Sequence, residues 1–164
     1  MFSSEILLLA ERVLAGSRAR GWRVALAESC TGGLVAAALT AIPGSSEVFE
    51  RGFVTYSNEA KSELLGVPQR TIARFGAVSA ETAEAMAIGA LLRAPVALAL
   101  SVTGIAGPEG GSAEKPVGLV FFGLARKDGD CRSLSHEFPG DRDGIRQKAL
   151  FAALQLLEAE TKSL

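Results

Sequence analysis

Apolar positions along the first segment recur with a helical period. Ile6, Leu9, Ala10, Val13 and Leu14 stand at i, i+3, i+4, i+7 and i+8, one stripe of an amphipathic helix. Ser3 is suited to cap its start, and Gly16 or Gly21 to end it. The pattern then shortens. A mainly apolar run over 23–27, bounded by Gly21 and by Glu28-Ser29, predicts a buried strand. Small residues over 34–42, opened by Thr31-Gly32-Gly33 and stopped by Pro43-Gly44, predict a helix. Aromatic and β-branched side chains over 52–56 predict a strand. Ser57 is placed to cap a helix over 58–65, which Gly66 and Pro68 end, and Ser79 to cap another over 80–93.

Residues 95–102 and 117–126 are apolar runs of strand length, as expected of strands covered on both faces. A glycine-rich loop over 104–116 separates them. Asp128-Gly129 is a hairpin signal leading to a partner strand over 131–138. A helix over 141–160 closes the chain, with Ile145, Ala149, Ala152, Leu156 and Ala159 on one face. Helices and strands alternate, with one late hairpin, so the expected fold is an α/β layered domain with a mixed sheet. No internal repeat or linker interrupts it, and a single domain over 1–164 is expected.

Composition narrows the function. The chain has 164 residues, 48% hydrophobic and 21% charged, which sets it apart from disordered sequences. A chain of this size buries enough surface to need no disulfide or metal for its core. Lys plus Arg number 17 and Asp plus Glu 18, a net charge of -1, so no basic excess calls for nucleic acid or an anionic membrane. Cys30, Cys131 and His136 are too few for a disulfide framework or a zinc ligand set, and neither metal nor cofactor is expected. No apolar run reaches the length of a membrane span. The run after Glu5 is short and lacks a basic start, so no export signal is read and a cytoplasmic protein with reduced thiols is expected.

Three loops follow predicted strands, where ligands gather in open α/β sheets. The first, Glu28-Ser29-Cys30-Thr31-Gly32-Gly33, is a strand-to-helix turn. A hydroxyl there lies beside free backbone N–H groups able to hold an oxyanion or a phosphate. The plainer reading is that Ser29 or Thr31 caps the helix and the glycines make the turn. Cys30 reads as a small buried residue, since a cysteine nucleophile needs a histidine base. In the second loop Lys61 stands four residues after Ser57, one helical step, so it can point back to the sheet end. It is either an ordinary surface lysine or, if desolvated, a neutral base for a serine nucleophile. The third loop begins at Thr103-Gly104 and matches neither a Walker A nor a GxGxxG pattern; it is a flexible connection or a binding loop. Arg142, after Gly140-Asp141, is either solvated or a fork-shaped clamp for phosphate or carboxylate. His136, alone on a strand, reads as structural or exposed.

The segments 27–33 (AESCTGG), 52–61 (GFVTYSNEAK), 76–79 (GAVS), 103–108 (TGIAGP) and 115–118 (KPVG) together closely resemble the C-terminal domain family of the competence/damage-inducible protein CinA. The resemblance runs from about Ser3 to Leu156, nearly the whole chain. Stand-alone members of that family are nicotinamide mononucleotide deamidases. The resemblance implies a three-layer α/β/α sandwich, mostly parallel, and a homodimer. It implies hydrolysis of nicotinamide mononucleotide to nicotinic acid mononucleotide and ammonia. The family's nucleophile falls on Ser29, its base on Lys61, its supporting tyrosine on Tyr56, its active-site threonine on Thr103 and its arginine on Arg142. Substrate contacts are expected from Arg142, Cys30, Thr31, Gly32, Gly33 and Gly104. The alternatives are a nucleotide-binding regulatory module without catalysis, and an amidase of another small amide.

Overall fold

A computed structural model describes residues 1–162. The chain runs α1 (Ser4–Arg20), β1 (Val24–Glu28), α2 (Leu34–Thr40), a 3-10 turn (Ser45–Glu47), β2 (Phe49–Val54), α3 (Asn58–Leu65), α4 (Gln69–Phe75), α5 (Ala80–Leu92), β3 (Leu98–Gly104), β4 (Leu119–Arg126), β5 (Cys131–Glu137) and α6 (Arg142–Lys162). The strands form one sheet in the order β2-β1-β3-β4-β5. β1 pairs in parallel with both β2 and β3, whereas β3–β4 and β4–β5 are antiparallel. β5 therefore runs in the same direction as β1, β2 and β3.

Side chains of a strand alternate between faces, and β1 serves two cores this way. Val24 and Leu26 join the cluster built with α1, α2 and α6. Ala25 and Ala27 join the cluster that Leu65, Ile72, Met86 and Ala90 contribute from α3, α4 and α5. The architecture is thus three layers, α/β/α. Small residues let the second layer close tightly. A Cβ on Gly89 of α5 would lie 2.1 Å from the Leu65 carbonyl oxygen at the end of α3. That near-contact of backbones seats α3 deep on the sheet, and α3 carries Lys61.

Most expected elements are present, with shifted ends. β2 covers 49–54, not 52–56; it is an edge strand, and its charged Glu50-Arg51 stretch hides the apolar alternation. β3 begins at Leu98, three residues after Pro95, which has no N–H to give a ladder. α4 was not expected at all. None of its residues is fully buried, so no apolar stripe announces it. Ser3, Ser57 and Ser79 do cap α1, α3 and α5, their hydroxyls accepting from Ile6, Ala60 and Thr82 N–H.

From β1 the chain crosses through α2 to β2 on one side, then returns through α3, α4 and α5 to β3 on the other. The carboxyl ends of β1 and β3 thus flank a point where strand order reverses, where a crevice opens in α/β sheets. No helix among the described residues is long and apolar enough to cross a membrane.

Candidate active site

Ser29 leaves the end of β1 with its N–H donating to the Val102 carbonyl of β3 at 2.9 Å. The chain then turns at once: Gly32 N–H donates back to Ser29 O at 3.0 Å, and Leu34 N–H to Thr31 O at 3.1 Å. Gly33, at φ +101°, supplies the left-handed conformation that starts α2. Neither Ser29 nor Thr31 caps this helix. Its cap is Glu28, the last residue of β1, whose two carboxylate oxygens accept from Val35 N–H at 2.9 Å and Ala36 N–H at 3.0 Å. A buried carboxylate on a helix N-terminus is favoured by the helix dipole and by charge-assisted hydrogen bonds. The Ser29 hydroxyl is left free for another partner.

That partner is Lys61. Its Nζ lies 3.0 Å from Ser29 Oγ, 2.9 Å from the Thr55 carbonyl oxygen and 3.2 Å from that of Tyr56. Lys61 is 1% exposed, one of the largest fully buried side chains among the described residues. Burial lowers its pKa below the ordinary lysine value. A neutral amine has two N–H donors and one lone pair. Nζ also lies 3.5 Å from the Ser57 carbonyl oxygen; once neutral, the amine would donate to two of these carbonyls and turn its lone pair to the Ser29 hydroxyl.

A cavity of about 270 Å³ opens over this pair, lined by Ser29, Cys30, Lys61, Thr103, Gly104 and Arg142 among others. The Thr103 hydroxyl donates to Ala77 O at 2.9 Å, which ties β3 to the 76–79 turn on the cavity wall. Arg142, the first residue of α6, donates to Gly107 O at 2.8 Å and to the Tyr56 hydroxyl at 2.9 Å. Tyr56, the expected supporting tyrosine, reaches the pair by its backbone. Tyr56 is 60% exposed; its hydroxyl meets Arg142, and only its carbonyl meets Lys61. Asp141 caps α6, its carboxylate accepting from Gly144 N–H at 2.9 Å.

The cavity gathers Ser29, Lys61, Tyr56, Thr103, Gly104, Cys30 and Arg142, and it leaves out Thr31, Gly32 and Gly33. Thr31 is fully buried behind the turn, and the Gly32 N–H is consumed by Ser29 O. The Cys30 and Thr31 N–H groups donate to no carbonyl among the described residues. The Cys30 thiol is pushed up to about 12, chiefly by burial, so it stays protonated. Both cysteines are free thiols. Among the described residues no group of three or more His, Cys, Asp or Glu side chains forms a ligand set.

Sequence reasoning missed three participants. Glu28 was visible only as the residue before Ser29. Lys115 donates to Phe75 O at 2.5 Å, fastening the glycine-rich loop to the turn before Ala77. Arg146 reaches from α6 to two carbonyls of the nucleophile turn. An i, i+4 pair of arginines, Arg142 and Arg146, was the one available signal.

The profile of the CinA C-terminal domain family matches residues 7–161. The chain is 54% identical over 147 residues to the nicotinamide-nucleotide amidohydrolase PncC of Enterobacter agglomerans, covering 90% of each. It is 52% identical over 157 residues to the protein of that name from Escherichia coli strain K12, covering 96% of this chain and 95% of that one. Among solved structures, the competence/damage inducible protein CihA from Agrobacterium tumefaciens is similar at a TM-score of 0.94 and 48% identity, covering 97% of each chain. By its sequence from end to end and by its layered fold, this chain belongs to the CinA C-terminal domain family.

Proposed function

We propose that the protein hydrolyses nicotinamide mononucleotide to nicotinic acid mononucleotide and ammonia, a step of NAD salvage, through an acyl-serine intermediate. The observation that carries this reading is the buried contact of Lys61 Nζ with Ser29 Oγ at the base of a cavity that also presents Arg142. The names of the amidohydrolase relatives support the substrate.

In the first half-reaction Ser29 Oγ attacks the carboxamide carbon and gives its proton to neutral Lys61. The carbonyl oxygen becomes an oxyanion, held by the N–H of Cys30, which lines the cavity; such a donor contributes about 3–4 kcal/mol in comparable sites. The C–N bond then breaks, Lys61 returns the proton to the leaving nitrogen, and ammonia departs. In the second half Lys61 takes a proton from water, the hydroxide attacks the ester, Lys61 returns that proton to Ser29 Oγ as the acyl–oxygen bond breaks, and the acid product ionises to the carboxylate. Arg142 binds the 5′-phosphate with the N–H donors that Gly107 and Tyr56 leave free.

By the same family likeness the working assembly is a cytoplasmic homodimer, which light scattering of the purified protein tests. For the activity, the experiment is ammonia release from nicotinamide mononucleotide, with mass spectrometry of the enzyme quenched during turnover. A nicotinoyl-nucleotide adduct on the peptide bearing Ser29 is expected. Ammonia release without any dependence on Ser29 would sink the mechanism, and no release at all would sink the substrate.

A further inference from the structure

The turn that carries Ser29 contains two consecutive glycines at positive φ, Gly32 at +58° and Gly33 at +101°. Glycine peptides flip at little steric cost, so these residues alone give the turn no fixed set of peptide planes. Two bonds inside the turn, Gly32 N–H to Ser29 O and Leu34 N–H to Thr31 O, hold it in part, and a further hold comes from outside. Arg146, in the second turn of α6, donates through Nε to Cys30 O at 3.1 Å and through an Nη to Thr31 O at 3.2 Å. More than a hundred residues separate the partners. A guanidinium fork on two successive carbonyls fixes two successive peptide planes. Because a trans peptide sets its N–H opposite its carbonyl, these bonds also fix where the Thr31 and Gly32 N–H groups point.

We propose that Arg146 is a positioning residue for the oxyanion site: its grip on Cys30 O and Thr31 O fixes the Thr31–Gly32 peptide, keeps the Gly32 N–H on Ser29 O, and so holds the Cys30 N–H turned out beside Ser29. The Gly32 N–H is directed back to Ser29 O, and that bond in turn sets the Cys30 N–H on the opposite side. One donor, the Cys30 N–H, is thus aimed by one arginine and one turn hydrogen bond. The proposal rests on the serine reading above. It assigns to α6 a task beyond that of Arg142. Arg142 joins the Gly107 and Tyr56 loops, and Arg146, one helical step on, joins the nucleophile turn to the same rigid helix.

The test uses a reaction that does not depend on the natural substrate. A fluorophosphonate probe reacts when Ser29 Oγ attacks phosphorus, fluoride leaves and the serine proton passes to Lys61; the charge growing on the P–O oxygen needs the same N–H donor. Labelling rates at Ser29 are measured for wild type, Arg146→Ala and Arg146→Lys across pH, beside kcat and KM for ammonia release. Arg146→Ala is expected to label about 10–100-fold more slowly, less than the roughly 100–1,000-fold that follows outright loss of an oxyanion donor. Its pH inflection should match wild type, because Lys61 is untouched, and KM should stay within about twofold. Millimolar methylguanidinium should restore part of the Arg146→Ala rate, and Arg146→Lys, which offers a point charge in place of a fork, should lie between. Labelling of Arg146→Ala at the wild-type rate overturns the proposal. So does a loss that follows the fall in melting temperature and that methylguanidinium fails to relieve, which is the mark of a purely structural arginine. Absence of labelling in wild type overturns both this proposal and the serine reading. Wild type that labels at Ser29 but releases no ammonia from nicotinamide mononucleotide removes the substrate and leaves the role of Arg146 standing.

Discussion

Lys61 Nζ stands 3.0 Å from Ser29 Oγ across 32 positions of sequence. The two residues come from different layers: Ser29 from the end of a central strand, Lys61 from a helix packed on one face of the sheet. Their meeting requires β1 and β2 to be parallel neighbours and α3 to follow β2 after a short loop. It also requires α3 to sit close, because Lys61 is buried to its ammonium nitrogen. The burial that makes the contact also lowers the lysine's proton affinity.

Ser29→Ala should lower the rate on nicotinamide mononucleotide by on the order of a thousandfold or more. The melting temperature should barely move, since the hydroxyl is not the cap of α2; Glu28 is. Steady-state ammonia release and a thermal melt check both. Residual activity above about one tenth of wild type contradicts the nucleophile assignment.

Lys61→Arg should be nearly as inactive as Lys61→Ala. Arginine keeps a positive charge but does not give up its proton in a protein. In wild type the rate should rise with pH as the amine deprotonates, with its inflection below the ordinary lysine value because burial disfavours the ammonium. Stability carries the same sign. Between the lowered folded-state pKa and 10.5, the unfolded chain binds more protons, so stability should increase with pH through that window. A flat rate–pH profile, or substantial rescue by Arg, removes Lys61 as the base.

Cys30 sits beside the nucleophile and lines the cavity, yet its thiol, pushed up to about 12, offers almost no thiolate at neutral pH. Cys30→Ser should retain most of the activity, and iodoacetamide should modify Cys30 slowly. Rapid inactivation with alkylation at Cys30, absent in Cys30→Ser, is the contrary result.

Much of this site could be read from the chain, and the unread part has a common cause. Ser29, Lys61, Thr103 and Arg142 stand at strand ends or helix starts, where local pattern and family resemblance both point. Arg146 and Lys115 act on backbone carbonyls far away in sequence, and a carbonyl acceptor leaves no signature in side-chain identity. For Tyr56 the motif was legible, but only the fold reveals that its hydroxyl turns toward Arg142. α4 escaped because it buries none of its residues fully.

Gly89→Ala tests the packing that seats Lys61. A methyl group there would lie 2.1 Å from the Leu65 carbonyl oxygen, so α3 and α5 must separate. Overpacking of this kind costs about 1–3 kcal/mol, more than the roughly 1 kcal/mol that alanine gains in helix propensity. Denaturant melts should show the loss. The kcat should fall further than stability alone explains, because α3 carries the base away from Ser29. An unchanged or raised stability would mean that the helices do not pack this closely.

The substrate should be the mononucleotide and not free nicotinamide. The reacting carboxamide is small, so binding energy must come from the ribose phosphate, away from the bond that breaks. Arg142 is the guanidinium lining the cavity, and two of its N–H groups are held by Gly107 O and the Tyr56 hydroxyl. Those contacts orient the fork and leave donors for an anion. Arg142→Ala should therefore lower kcat/KM for the mononucleotide by about 2–3 kcal/mol, the worth of a charged hydrogen bond. It should hardly change the poor rate on free nicotinamide, which has no phosphate to lose. Tyr56→Phe keeps the ring and the carbonyl that Lys61 uses but frees the fork, so its loss should be smaller and also confined to the mononucleotide. Ammonia release from both compounds by the three proteins decides. Equal kcat/KM for the two compounds in wild type would end the phosphate-anchoring idea, whereas an equal fractional loss on both in Arg142→Ala would assign Arg142 to the reacting amide.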